Sequence, residues 1–239
     1  MIELVRLADG VHALETTLRV LPGFHLPLRS TLLSLAGGEL MVISPLRMDD
    51  ELAARVSALG RVTHIASPNK FHHLFVGDAA ARWPNAQVHL TPGLPEKITK
   101  LGRVVPPHVV LPSDMPADVT AVVLAGMPAL SETLFFHAPS RTLVVTDLVF
   151  HVLGPTEGLL TGLILRMVGA HQRLAQGLEL RLLVRDREAA RQSLERVMAL
   201  DFTRLVMAHG VVVEVDAKER LRAALRFMLT APPRRQLRA

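Results

Sequence analysis

The side chains best suited to chemistry in this 239-residue chain are imidazoles and carboxylates, for it has 11 histidines and no cysteine. Lacking thiols, it can form no disulfide, thiolate metal site or cysteine nucleophile, and a reducing, cytoplasmic setting is the expectation. One pair of histidines stands out by position. His72 and His73 follow an apolar run at residues 63–66 and the turn Ser67-Pro68-Asn69-Lys70, and they precede a helical pattern. Loops at the ends of strands gather functional side chains in α/β folds, so this pair is a candidate for metal binding or catalysis. Two other positions repeat the arrangement. Asp147 comes just after the apolar run 142–145, and His209 follows 204–207, with Gly210 permitting a tight exit. Imidazoles mixed with a carboxylate suit zinc or iron. Asp147 also reads as a helix cap or turn residue, and His209 as a hydrogen-bonded core histidine.

The elements that must carry these residues can be read from periodicity. Runs 11–18, 30–35 and 40–44 are β-prone, with Gly37-Gly38 as a hairpin signal. Residues 49–59 have helical spacing, with Asp49 or Asp50 available as N-cap. A strand at 63–66, a helix at 74–83, a strand at 87–90 and a turn at 92–97 follow. Further strands are expected at 119–124, 133–137, 142–145 and 204–207, and helices at 157–172, 186–199 and 217–229. Strands first, then β and α alternating, predict two sheets with helices packed outside.

Composition narrows the function classes. With 49% hydrophobic residues the chain can bury a sizeable core and is not a disordered protein. No linker-like run or internal repeat divides it, so one domain over 1–239 is expected, ending in a basic tail at about 231–239. The net charge of +5 sits partly in that tail, Pro-Pro-Arg-Arg-Gln-Leu-Arg. No aromatic residues interleave with those cations to stack bases, and nucleic acid is not an expected partner. No secretory signal is evident. The apolar stretch 152–170 is broken by Glu157, Arg166 and glycines, too interrupted to span a membrane. Its segment 159–168 reads as core, as the wall of an apolar pocket or, third, as a membrane-surface helix.

Several runs together are recognisable: Val-Thr-His-Ile-Ala-Ser-Pro-Asn-Lys-Phe-His-His-Leu-Phe at 62–75, Trp-Pro-Asn-Ala at 83–86, Pro-Gly-Leu-Pro-Glu-Lys at 92–97 and Thr-Leu-Val-Val-Thr-Asp-Leu-Val-Phe at 142–150. Leu-Pro-Leu-Arg-Ser-Thr at 26–31 and Gly-Glu-Leu-Met-Val-Ile-Ser-Pro at 38–45 join them. On these residues the chain resembles the metallo-β-lactamase-like superfamily, and within it a widespread uncharacterised family. The resemblance implies a four-layer αββα sandwich with its site at one edge, between the sheets. The superfamily's His-x-His-x-Asp-His motif falls on residues 68–73, so Pro68, Lys70 and His72 replace ligands and His73 alone is kept. Met127 stands where a later His is usual, whereas Asp147 and His209 match the bridging Asp and the final His. The losses fall on the three-imidazole site, and Lys70 sets a cation there, which repels a metal.

The implied function is a metal-dependent hydrolase acting on an ester-, amide- or phosphoester-like small molecule. One zinc or iron ion, or none, would be held by His72, His73, Asp147 and His209. Asp147 would share the general-base role, and Lys70 or Arg29 would orient an anionic substrate or stabilise developing charge. Glu132 reads chiefly as a solvent-facing strand start, and His151 could line the cleft. The competing class is a degenerate, non-catalytic protein that binds a small molecule or a metal.

Overall fold

The computed structural model describes residues 2–153 and 159–230. The tail expectation and the start of the helix expected at 157 therefore lie outside the described residues. Seven strands form the first sheet in sequence order: β1 (Glu3–Ala8), β2 (Val11–Leu21), β3 (Phe24–Leu35), β4 (Glu39–Ile43), β5 (Arg61–Ser67), β6 (Gln87–Leu90) and β7 (Val109–Val110). β1 to β4 pair antiparallel and β4 to β7 parallel. The parallel half needs crossovers, supplied by α1 (Asp50–Ser57), α2 (Val76–Arg82) and α3 (Leu94–Lys100). Asp49 caps α1, its carboxylate accepting from Leu52 N.

The second sheet runs β11 (Arg204–Val206), β10 (Thr142–Val144), β9 (Thr133–His137), β8 (Val119–Val123), with β10 and β11 parallel and the rest antiparallel. Helices α4 (Leu159–Met167), α5 (Leu178–Leu182), α6 (Arg187–Ala199), α7 (Ala217–Ala224) and α8 (Arg226–Leu229) complete the described elements. Leu33, Met41, Ile43, Phe135, Val144 and Val206 pack where the sheets face each other. A second core joins Val42, Ile65 and Leu90 to Val56, Val76 and Ile98 of α1 to α3. A third joins Leu134 and Leu143 to Leu180, Leu194 and Leu221 of α5 to α7. Three apolar interfaces between four layers make an αββα sandwich, the architecture expected from the sequence.

Local expectations differ in instructive places. The segment 92–97, expected as a turn, opens α3 because Pro95 sits in the first helical turn, where a missing N–H costs nothing. Residues 24–29 extend β3 although Pro27 interrupts the run. β3 pairs with β4 only from Thr31 onward, so Pro27 lies on a free edge of the sheet. The expected helix 217–229 divides at Leu225 into α7 and α8.

Candidate functional site

Three loops at the C-terminal ends of β5, β10 and β11 meet at one edge of the sandwich. They bring together His72, Asp147 and His209, each able to offer a ligand atom within 4.8 Å of the others. Asp147 Oδ1 lies 3.0 Å from His209 Nε2, and its Oδ2 lies 3.3 Å from His72 Nε2. The two imidazoles meet edge-on, with ring centroids 5.4 Å apart, and Phe150 stacks on His209.

Both rings are held from behind. His209 Nδ1 donates to Pro27 O at 2.8 Å, which uses the free edge of β3 noted above. A carbonyl only accepts, so Nδ1 carries a proton and Nε2 faces Asp147. His72 Nδ1 is 2.6 Å from Ser44 Oγ. Ser44 has φ 58°, a left-handed backbone unusual for serine, at the end of β4. Strain of this kind tends to persist where surrounding structure enforces it, often at functional sites. Imidazoles with the rear nitrogen hydrogen-bonded and the front nitrogen beside a carboxylate have the arrangement of metal-ligating histidines. The donor set fits a divalent ion.

Asp147 is fixed as firmly. Buried Asn69 donates its amide to Asp147 Oδ2 at 2.7 Å and to Thr146 Oγ1 at 2.8 Å, with a longer contact to Glu132 Oε2 at 3.2 Å. Asn69 Oδ1 accepts from Phe71 N and His72 N, so one side chain positions the His72 loop and the Asp147 carboxylate together. Glu132, expected to face solvent, is instead fully buried; it accepts from Thr146 N at 2.7 Å and Asp147 N at 3.0 Å. Burial and the neighbouring Asp147 charge push the Glu132 carboxyl up to about 7, against the pull of those hydrogen bonds. Burial also opposes ionisation of Asp147, yet His72 and His209 hold it well below the usual carboxylate range. Asn69 and Ser44 were not singled out by sequence reasoning; the signal for Asn69 was its place between Pro68 and Lys70 in a strand-end turn.

His73, expected in the same set, does not join it. It is buried on a separate cavity with Arg47, Phe75 and Arg103, and its Nδ1 has no hydrogen-bond partner. In this turn the two neighbouring side chains point apart, and only His72 turns toward Asp147. The three sequence positions that lack superfamily ligands are also accounted for. Met127 is a core side chain packed with Leu124, Leu130 and Leu194. Lys70 donates its ammonium to Pro128 O at 2.8 Å and lies against Gly93. Pro68 gives its carbonyl to Thr133 N. His151 is buried, its Nδ1 2.7 Å from Val211 O and its Nε2 2.9 Å from Arg220 Nη2, so it braces the His209 loop.

Two cavities are lined by residues that flank His209 in the chain, although His209 itself lines neither. The larger, about 520 Å³, is lined by His25, Pro27, Val152, Leu153 and Val211, and it shares Glu15, Arg29 and Gly210 with the smaller, of about 310 Å³. Arg29 is nine-tenths buried; its guanidinium pairs with Glu15 at 2.6 Å and donates to Met207 O at 2.5 Å. Gly210 has φ 111°, and a Cβ there would come within 2.1 Å of His151 O, so only glycine lets the two loops close up.

The two-sheet sandwich has the metallo-β-lactamase-like fold. A metallo-β-lactamase from Pontibacter korlensis superposes with TM-score 0.64 at 10% identity, over 95% of this chain and 99% of the other. One from Erythrobacter litoralis, with β-mercaptoethanol in its active site, gives 0.65 at 16%, over 95% and 94%. One from Hirschia baltica gives 0.63 at 12%, over 95% and 96%. Within that fold the chain belongs to the family described as Domain of unknown function (DUF4336), which matches residues 9–157. No curated protein matches the sequence.

Proposed function

We propose that the protein is a metal-dependent hydrolase using one divalent ion, zinc or iron, held by His72, Asp147 and His209. The observation that carries this reading is the convergence of those three side chains from three strand-end loops, with both imidazoles anchored from behind. Two imidazoles and one carboxylate leave coordination positions open, which suits catalysis more than a closed structural site. An ion bound there supplies Lewis acidity toward water and toward an ester-, amide- or phosphoester-type bond.

The chain's own residues supply the rest. Asn69 and the backbone contacts to Glu132 keep Asp147 in place, so its carboxylate is available to ligate and to accept a proton. Arg29, which lines the cavity, is the cation to orient an anionic part of the substrate, although its guanidinium is already paired with Glu15 and bonded to Met207 O. Lys70 is a second cation for that role, although one of its donors is taken by Pro128 O.

The test is metal titration of apo-protein followed by thermal unfolding and hydrolysis of chromogenic esters and phosphodiesters. An ion that binds only the folded state at a hundredfold excess over Kd stabilises it by about 2.7 kcal/mol. His209→Ala should remove that gain and the turnover together. Loss of neither overturns the assignment. Stabilisation without turnover favours the second reading, a metal-binding protein without catalysis, which the packing of Met127 in the core supports.

A further inference from the structure

Helix α4 is apolar on both faces, yet it lies on the surface. Its inner side buries Thr161 and Leu165, the latter in a small cluster with Val152, Ala170 and Ala175. Its outer side presents Leu160, Leu163 (52% exposed) and Met167 (69% exposed), spaced three and four residues apart and so in one row. An exposed apolar row of this kind is normally covered by a partner or by lipid.

The row does not stand alone. Gly23 O at the tip of the β2–β3 hairpin accepts from Leu160 N at 2.9 Å, and Leu160 packs over Gly23. Leu21, two residues before Gly23 on the same hairpin, is exposed as well (56%). At the other end Val168 O accepts from Leu178 N, adding exposed Leu178 to the surface. Contiguous apolar surface of this kind marks an interaction site.

The charges nearby decide between occupants. Arg19 on the hairpin, Arg166 on the outer side of α4 and Arg173 after it are all exposed. Among the described residues of segments 17–24 and 159–178 there is no Asp or Glu; Glu179, at the far end beside Leu178, is the first acid after them. A second copy docked through a two-fold axis would set this cationic rim against itself, because such an interface uses the same patch twice. An anionic leaflet attracts each arginine, raising the partition coefficient about fivefold per basic side chain. We propose that the outer face of α4 and the adjoining hairpin tip dock onto an anionic lipid bilayer surface. The helix lies in the plane of the interface, with Leu160, Leu163 and Met167 among the acyl chains and the arginines at headgroup level. His25, whose backbone bonds to Thr161 of α4, also lines the larger cavity, so docking would leave that cavity near the membrane.

The test is co-sedimentation of the full chain with phosphatidylcholine vesicles, with and without phosphatidylglycerol. Binding is expected to the anionic vesicles, to weaken with salt, and to fall at least tenfold in Leu163→Glu/Met167→Glu. Those positions face outward, so that variant should keep its circular dichroism spectrum. Should it not, Arg19→Ala/Arg166→Ala, which changes only exposed charges, should still weaken binding to anionic vesicles at least tenfold. His209→Ala should bind vesicles normally, which separates this proposal from the metal reading. Absence of binding to either vesicle overturns it. So does binding that survives both double substitutions, which would locate the contact elsewhere, for example in the basic residues 231–239. A dimer in light scattering, abolished by Leu163→Glu/Met167→Glu and with no vesicle binding, would overturn it in favour of a second copy.

Discussion

Asn69→Ala is the most informative single change outside the proposed ligands. The amide has two N–H donors, directed chiefly at Asp147 Oδ2 and Thr146 Oγ1, and its oxygen serves the backbone N–H groups of Phe71 and His72. The side chain is wholly buried, so water cannot replace all of these bonds. Removing a donor from a buried carboxylate costs about 1.5–3 kcal/mol, and an orphaned buried backbone group about 1–3 kcal/mol. Phe71 N lies beside a half-exposed side chain, where solvent can replace the lost bond, so one orphaned N–H is counted. The sum is about 2.5–6 kcal/mol, and at about 2–4 °C per kcal/mol for a chain of this size Tm should fall by roughly 5–24 °C. Metal affinity should fall as well, by about 10–100-fold, because outer partners hold ligands in place. Thermal unfolding of apo-protein and metal titration measure the two effects separately. A loss under about 1 kcal/mol with unchanged metal affinity would refute the role assigned to Asn69.

Three further outcomes are expected. Equilibrium dialysis should find one tightly bound zinc per chain, since Pro68, Lys70 and Met127 offer no ligands for another; two would contradict the single-ion assignment. His72→Ala should abolish tight metal binding whereas His73→Ala leaves it nearly intact, and equal losses would put His73 back in the set. His89 is buried against His64 at 3.0 Å, and burial followed by the His64 charge lowers it to about 4. Its folded value lies below its unfolded one, so the unfolded state takes up the proton first. Its stabilising contribution is complete above about pH 6.5, is lost as pH falls toward 4, and changes by at most about 1.4 kcal/mol per unit. Plotting Tm against pH, His89→Gln should flatten this part of the slope, and identical profiles would exclude the assignment.

How much of this could be read in advance differs from residue to residue. Most strands and helices, though not β1, β7, α3 or α5, followed from periodicity, because a half-buried element must repeat its apolar residues every two or 3.6 positions wherever it lies in the fold. Asp147 and His209 could be singled out because each directly follows a short apolar strand, which is a local signal. Local pattern carries no information on which way a side chain turns within an irregular loop. His72 and His73 are neighbours of the same type, and only the packing of the 68–75 segment against Glu132 and Asp147, through Asn69, sends one to the site and the other to a separate cavity. Glu132 read as a surface residue because carboxylates are rarely buried without partners. Its partners are backbone N–H groups 14 and 15 residues away, brought to it when β9 and β10 pair. Ser44 and Pro27 became part of the site in the same way. Neither has a distinguishing sequence signal, and each acquires its role when an imidazole from a distant loop arrives within hydrogen-bonding distance. What the chain encodes locally is the set of elements and the chemical types at their ends. Which of those ends share a site is a long-range property, decided when two sheets bury their inner faces against each other.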